Sequence, residues 1–323
     1  MAAQADTVAD PRIHVSLAQL RALERSARNL SFLPRQPARS VLNGRHASRL
    51  RGRGLNFEEL RGYLPGDDIR SIDWKVTART GEPHVRVYSE ERDRPALLLV
   101  DQRMSMFFGT RHAMKSVTAA EAAALAAWRV LAAGDRVGGI VFDDEDLLAL
   151  KPQRSRRAVH ALLSTIARCN QALQADRLSA ATPMPLNRPL QQAARIAGHD
   201  HLLLVISDFD GIDDDSHRHL STLARHNDVV LILVHDPSAR ELPDLGSLVV
   251  SDGRLQVTLD TGTASRRQAL EEVATGRLQR ILDWQNQLGV AVLPLSTAEP
   301  TLTQVRRLLG RIGPRAGRRG RGR

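Results

Sequence analysis

The chain is poor in aromatic residues, has a single cysteine, and holds no long apolar run. Tryptophan, tyrosine and phenylalanine make up 3% of its 323 residues, too few for the interleaved stacking platform of a single-strand nucleic-acid binder. The lone thiol, Cys169, excludes an internal disulfide and a multi-thiolate metal centre. It sits in the helical pattern AVHALLSTIARCN, where an inert buried thiol is the expected reading. Apolar stretches such as ALLLV at 96–100 and LLLVI at 202–206 fall far short of the roughly 20 residues of a membrane span. The opening MAAQADTVADPR carries acids and no apolar centre, so it does not read as a secretory signal, and a cytoplasmic location is expected.

Several catalytic signatures are absent as well. No Gly-x-Gly-x-x-Gly follows a strand and no Gly-x-x-x-x-Gly-Lys-Ser/Thr occurs, which argues against a phosphate-cradling loop. There is no Gly-x-Ser-x-Gly elbow and no His-Glu-x-x-His pair. The net charge of +10 is partly local: six arginines and no acid fall in the last thirteen residues. Without them forty basic residues face 36 acidic ones, so specific nucleic-acid binding is not expected. The Arg/Gly tail, 310–323, cannot bury apolar surface and reads as disordered.

What the chain does have is a 42% hydrophobic content, enough for a sizeable core. Two textures divide it. Residues 12–94 are rich in arginine, with Leu17, Leu20 and Leu23 at helical spacing after Ser16 and a strand-like alternation at 84–88. From 95 to 309, short runs of Val, Ile and Leu alternate with helical patterns. Strands are expected at 96–101, 136–142, 201–208, 229–235 and 290–295; their continuous apolar character suits parallel strands covered on both faces. Helices are expected at 113–133, 155–169, 187–197, 216–226, 265–288 and 301–309. A hairpin is expected around the turn Ser251-Asp252-Gly253-Arg254. The fold class is therefore α/β, a doubly wound, mostly parallel sheet preceded by a smaller N-terminal region containing β-strands.

Two segments concentrate chemistry. In the first, Tyr63 to Arg79, Pro65-Gly66 marks a turn and six charges follow closely: Asp67, Asp68, Arg70, Asp73, Lys75 and Arg79. Either these charges form a surface network, or the segment is a binding surface with Trp74 as its aromatic anchor. Ile69, Ile72 and Trp74 are expected to face inward, with one of the three aspartates paired to Arg70 or Arg79. The second segment is Asp101-Gln-Arg-Met-Ser105 at the end of a core strand, where doubly wound sheets bind ligands. Asp101 and Ser105 present oxygens suited to a hard cation such as Mg²⁺. Asp208 ends another strand at the same rim, and Asp143–Asp146 form an acidic loop after a third.

The pattern Tyr63-x-Pro-Gly-Asp-Asp-x-Arg-x-Ile-Asp-Trp-Lys-x-x-Ala-Arg79 closely resembles the signature of the bacterial family called domain of unknown function 58. The resemblance extends from about residue 45 over most of the chain. It implies a von Willebrand factor A-like domain at 95–309, including Ser105-Met-Phe-Phe-Gly109 and Ile206-Ser-Asp-Phe209. It also implies a MoxR-type AAA+ ATPase as partner, other von Willebrand A-like proteins as further partners, and an adaptor role without catalysis. The signature residues Asp67, Asp68, Arg70, Asp73, Trp74 and Arg79 then become the binding candidates. Asp101, Ser105 and Asp208 match a metal-ion-dependent adhesion site, but Arg103 stands where its middle serine belongs. Thr182 comes several residues early for its threonine, and Asn187 and Arg188 sit nearest the expected place. Arg103 removes an oxygen ligand and adds a charge that opposes Mg²⁺. The site is thus expected to be degenerate, with Arg103 paired to Asp101 or Asp208 in the cation's stead. The competing class is a metal-dependent hydrolase using these strand-end carboxylates.

Overall fold

The structure, a computed structural model, describes residues 10–28, 30, 55–65, 67–90, 95–175, 183–239, 247–251, 256–260 and 264–309. Gly66, Thr182, Asp252–Arg254 and the Arg/Gly tail lie outside the described residues. The chain divides into two compact units, residues 1–35 with 94–323, and residues 36–93. The expected 12–94 region is therefore split, its first helical segment belonging to the larger unit.

In the larger unit, β3 (Ala96–Asp101), β4 (Val137–Phe142), β6 (Leu202–Ser207), β7 (Asp228–His235) and β10 (Ala291–Ser296) realise the five expected core strands. With β5 (Leu147–Gln153) they form one sheet, ordered β10-β7-β6-β3-β4-β5. All neighbours are parallel except the β4–β5 pair. β3, at the centre of this order, has both faces fully buried. Strand period two sends Ala96, Leu98 and Val100 into one core and Leu97 and Leu99 into the other. The first core is closed by α4 (Lys115–Ala132), α5 (Arg156–Gln171) and α9 (Thr301–Leu309). The second is closed by α6 (Asn187–Ile196), α7 (Asp214–Ala224) and α8 (Ala264–Leu288). β8 (Ser247–Ser251) and β9 (Gln256–Asp260) pair antiparallel, as the expected hairpin requires.

Local chemistry explains the element ends. α4 is largely alanine and buried along most of its length; small side chains let it lie close to the sheet and to α5. Gly134, at φ +87°, stops it in the left-handed conformation that only glycine adopts freely. Ser155 caps α5 by accepting from the Ala158 N–H. In β4, a Cβ on Gly138 would lie 2.4 Å from the Leu150 carbonyl oxygen, so glycine permits the close β5 crossing.

The segment at 10–30 closes over α4 and α5. Ser16 opens α1 (Leu17–Ala22) with a reciprocal capping box to Gln19, and α2 (Glu24–Ala27) follows. Leu20 is fully buried and its carbonyl accepts from Trp128 Nε1 at 3.0 Å. Val15 N–H donates to Asn170 Oδ1 at 2.7 Å, and Asn170 Nδ2 donates to Gln102 Oε1 at 3.0 Å. Asn170 is fully buried, so Asn170→Ala leaves a buried donor and a buried acceptor unpaired. Its expected cost is about 2–3 kcal/mol, measured by urea denaturation.

The smaller unit pairs β1 (Leu55–Gly62) with β2 (His84–Glu90) antiparallel, with an irregularity between Phe57 and Glu59. Between them lie a short 3-10 turn at Ile69–Ser71 and α3 (Trp74–Thr80). Asp73 caps α3 by accepting from the Lys75 and Val76 N–H groups, and Gly81 ends it at φ +79°.

Candidate functional site

The ends of β3 and β6, neighbours in the sheet, bring Asp101 and Asp208 to one rim. Asp101 is fully buried and Asp208 is 4% exposed, so each carboxylate needs a partner or would be neutralised. Each has one. The Arg103 guanidinium lies on Asp101, with Nε 3.0 Å from Oδ1 and Nη2 2.7 Å from Oδ2. Arg103 is itself 3% exposed and is held further by the Met184 and Asp210 carbonyls at 3.0 and 3.2 Å. Its backbone N–H also donates to Asp101 Oδ1, and Ser207 Oγ donates to Asp101 Oδ2 at 2.6 Å. Burial works against the Arg103 charge, yet Asp101, Asp208 and Asp210 hold its pKa above the ordinary arginine value.

Asp208 takes Lys115, from the first turn of α4, with Nζ 2.6 Å from Oδ2. Arg103 Nη2 stands 4.0 Å from its other oxygen. Burial raises the Asp208 carboxyl, but Lys115 and then Arg103 outweigh it and hold the pKa below the usual carboxylate range. Asp210 is paired with Arg277 of α8. Ser105 Oγ reaches Asp208 Oδ1 only at 3.5 Å, a weak bond. Asn187 turns away from the rim, its Nδ2 donating to both Asp213 oxygens.

The rim therefore has the carboxylates of a cation site with internal cations seated on them. Arg103 takes the pairing with Asp101 that the sequence left open. Lys115 and Arg277 were not foreseen: they arrive from α4 and α8, and no local pattern ties them to the strand ends. Among the described residues, no three His, Cys, Asp or Glu side chains converge to hold a metal ion. The residues present do not fit Mg²⁺, because two of the chain's own cations, the buried Arg103 and the part-buried Lys115, already face its carboxylate ligands.

A further buried acid, Asp236, follows the last residue of β7. Asp236 accepts from Thr110 N–H and Oγ1 at 2.8 and 2.7 Å, from Ser238 Oγ at 2.5 Å, and from Thr297 Oγ1. Burial raises its pKa, but the Ser238 and Thr297 hydroxyls lead a larger opposing effect, and the net shift is downward. Both Asp208 and Asp236 are thus depressed carboxyls. Their stabilising contribution is full above the unfolded value near about 3.9 and is lost as pH falls through the lower folded values. Urea midpoints measured from pH 7 to pH 2 should therefore drop below about pH 4. Asp208→Asn should start less stable and lose less over that interval; an equal acid slope in parent and variant would count against the assignment.

The signature residues are placed differently from the expectation. Trp74 is 66% exposed and Ile69 63%, which corrects the inward-facing reading, and Leu64 is exposed beside them in sequence at 60%. Ile72 is only half-buried. The reason lies in α3, which is seven residues long with its first residue, Trp74, following directly on the Asp73 cap. The expected pairing is also corrected. Asp67 is held by Arg61, with Nη2 2.7 Å from Oδ1, and it also accepts from the Leu64 N–H. Asp68 accepts from the Arg70 backbone N–H and opens the 3-10 turn. Asp73 is 8% exposed. No ion pair joins an aspartate of this segment to Arg70 or Arg79 among the described residues. The Asp67 N–H donates to the Leu64 carbonyl at 3.0 Å.

An uncharacterized protein of Mycobacterium bovis and one of Mycobacterium tuberculosis are each 34% identical to the chain over 231 residues, 71% of this chain and 70% of theirs. Among solved structures, a von Willebrand factor type A protein from Catenulispora acidiphila matches with a TM-score of 0.32 and 12% identity. That match covers 60% of this chain and 44% of that one, less than two thirds of its length. No helix among the described residues is long and apolar enough to cross a membrane. The family model described as protein of unknown function DUF58 matches residues 59–290, spanning the signature, the rim and most of the sheet, and the chain belongs to that family.

Proposed function

We propose that the protein is a non-enzymatic interaction module, an adaptor that works with a MoxR-type AAA+ ATPase and needs no resident cation. One observation carries the reading: Asp101, Asp208 and Asp210 at the strand ends are each paired to an internal cation, Arg103, Lys115 and Arg277. A carboxylate so paired is a poor general base and a poor metal ligand, because its charge is already compensated at hydrogen-bond distance. The hydrolase alternative loses its reactive groups by the same argument. The ATPase partner comes from the family resemblance. The exposed Trp74, Ile69 and Leu64 of the signature segment supply an apolar surface of the kind that anchors a partner.

Two measurements test the proposal. Isothermal titration of the parent with Mg²⁺ should give no saturable heat, and co-purification with the ATPase should persist in EDTA. Tight Mg²⁺ binding abolished by Asp101→Ala would overturn the cation-free reading. Metal-dependent hydrolysis that requires Asp101 and Asp208 would favour the enzyme.

A further inference from the structure

The sheet of the larger unit ends in two different edges, β10 and β5. The chain closes the first itself. Thr297 N–H donates to the His235 carbonyl at 2.9 Å, so alternation along the strand turns the backbone groups of Pro294 and Ser296 away from β7. Pro294 has no N–H to offer. Both backbone groups of Ser296 are taken by Gln304, whose Oε1 accepts from the N–H and whose Nε2 donates to the carbonyl, each at 2.7 Å.

The β5 edge is open. Asp143 N–H donates to the Asp146 carbonyl at 3.0 Å, and the register sets Val141 opposite Leu148 and Gly139 opposite Leu150. Alternation therefore gives the backbone groups of Leu148 and Leu150 to β4 and turns those of Leu147 and Ala149 outward. These two N–H and two carbonyl groups meet no hydrogen-bonding partner among the described residues. The register irregularity beside Gly138 and the proline at 152 end the regular ladder beyond Leu150. The side chains of the open stretch are apolar and partly in water. Leu148 is 38% exposed and Ala149 is exposed, while Leu147 and Leu150 are half-buried against opposite cores. An unpaired apolar edge of this kind is a template for a further strand.

Lys151 follows, exposed and without an ion-pair partner among the described residues. Its charge selects the occupant. A second copy of the chain, pairing antiparallel about Ala149, would set each Lys151 against a leucine and cover the ammonium without an acid. A strand with an acid at that end satisfies it. We propose that the free edge of β5 receives an extended segment of a partner protein as an added antiparallel strand. The segment carries β-branched apolar residues along Leu147–Leu150 and an acid facing Lys151. Main-chain bonds at Leu147 and Ala149 supply the attachment, and the acid supplies the choice of partner. This face adds to the interaction-module reading and uses no residue of the signature segment.

The test uses the full chain and three blocked peptides. They are Glu-Val-Thr-Val-Val, its counterpart with lysine in place of glutamate, and the glutamate peptide N-methylated at its third and fifth residues, which would lie opposite Ala149 and Leu147. The glutamate peptide should bind and slow amide hydrogen exchange at Leu147 and Ala149. The methylated peptide keeps the side chains but loses the bonds, and should bind about tenfold more weakly. Lys151→Glu, at an exposed position, should reverse the order of the glutamate and lysine peptides and leave the thermal midpoint in place. Ala149→Pro removes an outward N–H and spares the β4 ladder. Its midpoint should stay near that of the parent while peptide binding falls about tenfold. Equal binding of the methylated and unmethylated peptides, or unchanged exchange at Leu147 and Ala149, would overturn the proposal. If the chain alone sediments as a dimer that Ala149→Pro dissociates, the edge belongs to a second copy and the proposal falls as well. Loss or retention of ATPase capture bears on the interaction-module reading alone, because the peptides are added to the chain by itself.

Discussion

Replacing Arg103 with serine should cost about 3–5 kcal/mol of stability, the range for breaking a buried ion pair by removing one partner. Asp101 is fully buried and would lose the guanidinium that meets both its oxygens. Ser207 Oγ would remain, but one hydroxyl does not compensate a buried negative charge. The Met184 and Asp210 carbonyls would lose their donor as well. Serine at 103 also restores a hydroxyl between Asp101 and Ser105 and removes the charge that opposes a cation. Mg²⁺ should therefore raise the thermal midpoint of Arg103→Ser and leave the parent unmoved, since a ligand that binds only the folded state stabilises it by mass action. Lys115 still faces Asp208 in that variant, so the gain should grow when Lys115→Met is added. Arg103→Lys keeps the charge but loses the planar fork, and its stability should fall between parent and serine variant. Equal responses of parent and Arg103→Ser to Mg²⁺ would defeat the argument that Arg103 stands in for the ion.

Much of this geometry could be read from the chain because it obeys local rules. The five core strands announce themselves as continuous apolar runs, and such runs are what a central parallel strand needs when both faces are covered. The helix starts at Ser16 and Ser155 follow from side chains that cap free N–H groups. β5 and β1 escaped because their residues carry weaker signals. LLALKPQ is an edge strand, largely exposed and interrupted by a proline, and LNFEELRG carries charges at three of its eight positions. Half-exposed strands owe their pairing to a neighbour, which composition does not encode.

The rim divides the same way. Asp101, Arg103 and Ser105 lie within five residues, so the conflict between an arginine and a cation was visible directly. The partners of Asp208 and Asp210 were not. Lys115 lies 93 residues before Asp208 and Arg277 67 after Asp210, and only the sheet order brings them together. The short α3 shows the limit from another side. Helical spacing states which residues share a face, but not whether a neighbour covers that face. Ile69, Ile72 and Trp74 were read as facing inward, yet Ile69 lies in the 3-10 turn and Trp74 begins α3, and both are exposed.

That exposure decides what Trp74→Ala should do. A buried tryptophan would cost about 3–5 kcal/mol when truncated, because a large cavity would open. At 66% exposed, Trp74 fills no such space, and substitutions of this kind usually stay within about 0.5 kcal/mol. The stability of the variant should therefore match the parent in urea. Association should not. Trp74, Ile69 and Leu64 place large apolar side chains in water along eleven residues of a turn and helix start. Water contact is unfavourable for such groups by roughly 1.5–3 kcal/mol each when they could be buried instead. Tryptophan is also the residue most enriched at binding hot spots, where truncation costs about 2 kcal/mol or more. Loss of Trp74 should thus weaken capture of the ATPase at least about 30-fold, with Ile69→Ala and Leu64→Ala giving smaller losses. Asp73→Ala serves as the contrast, since it removes the α3 cap and should lower stability by about 1 kcal/mol. A destabilised Trp74→Ala would mean that the side chain is covered. Unchanged stability with unchanged capture would remove this segment from the binding surface.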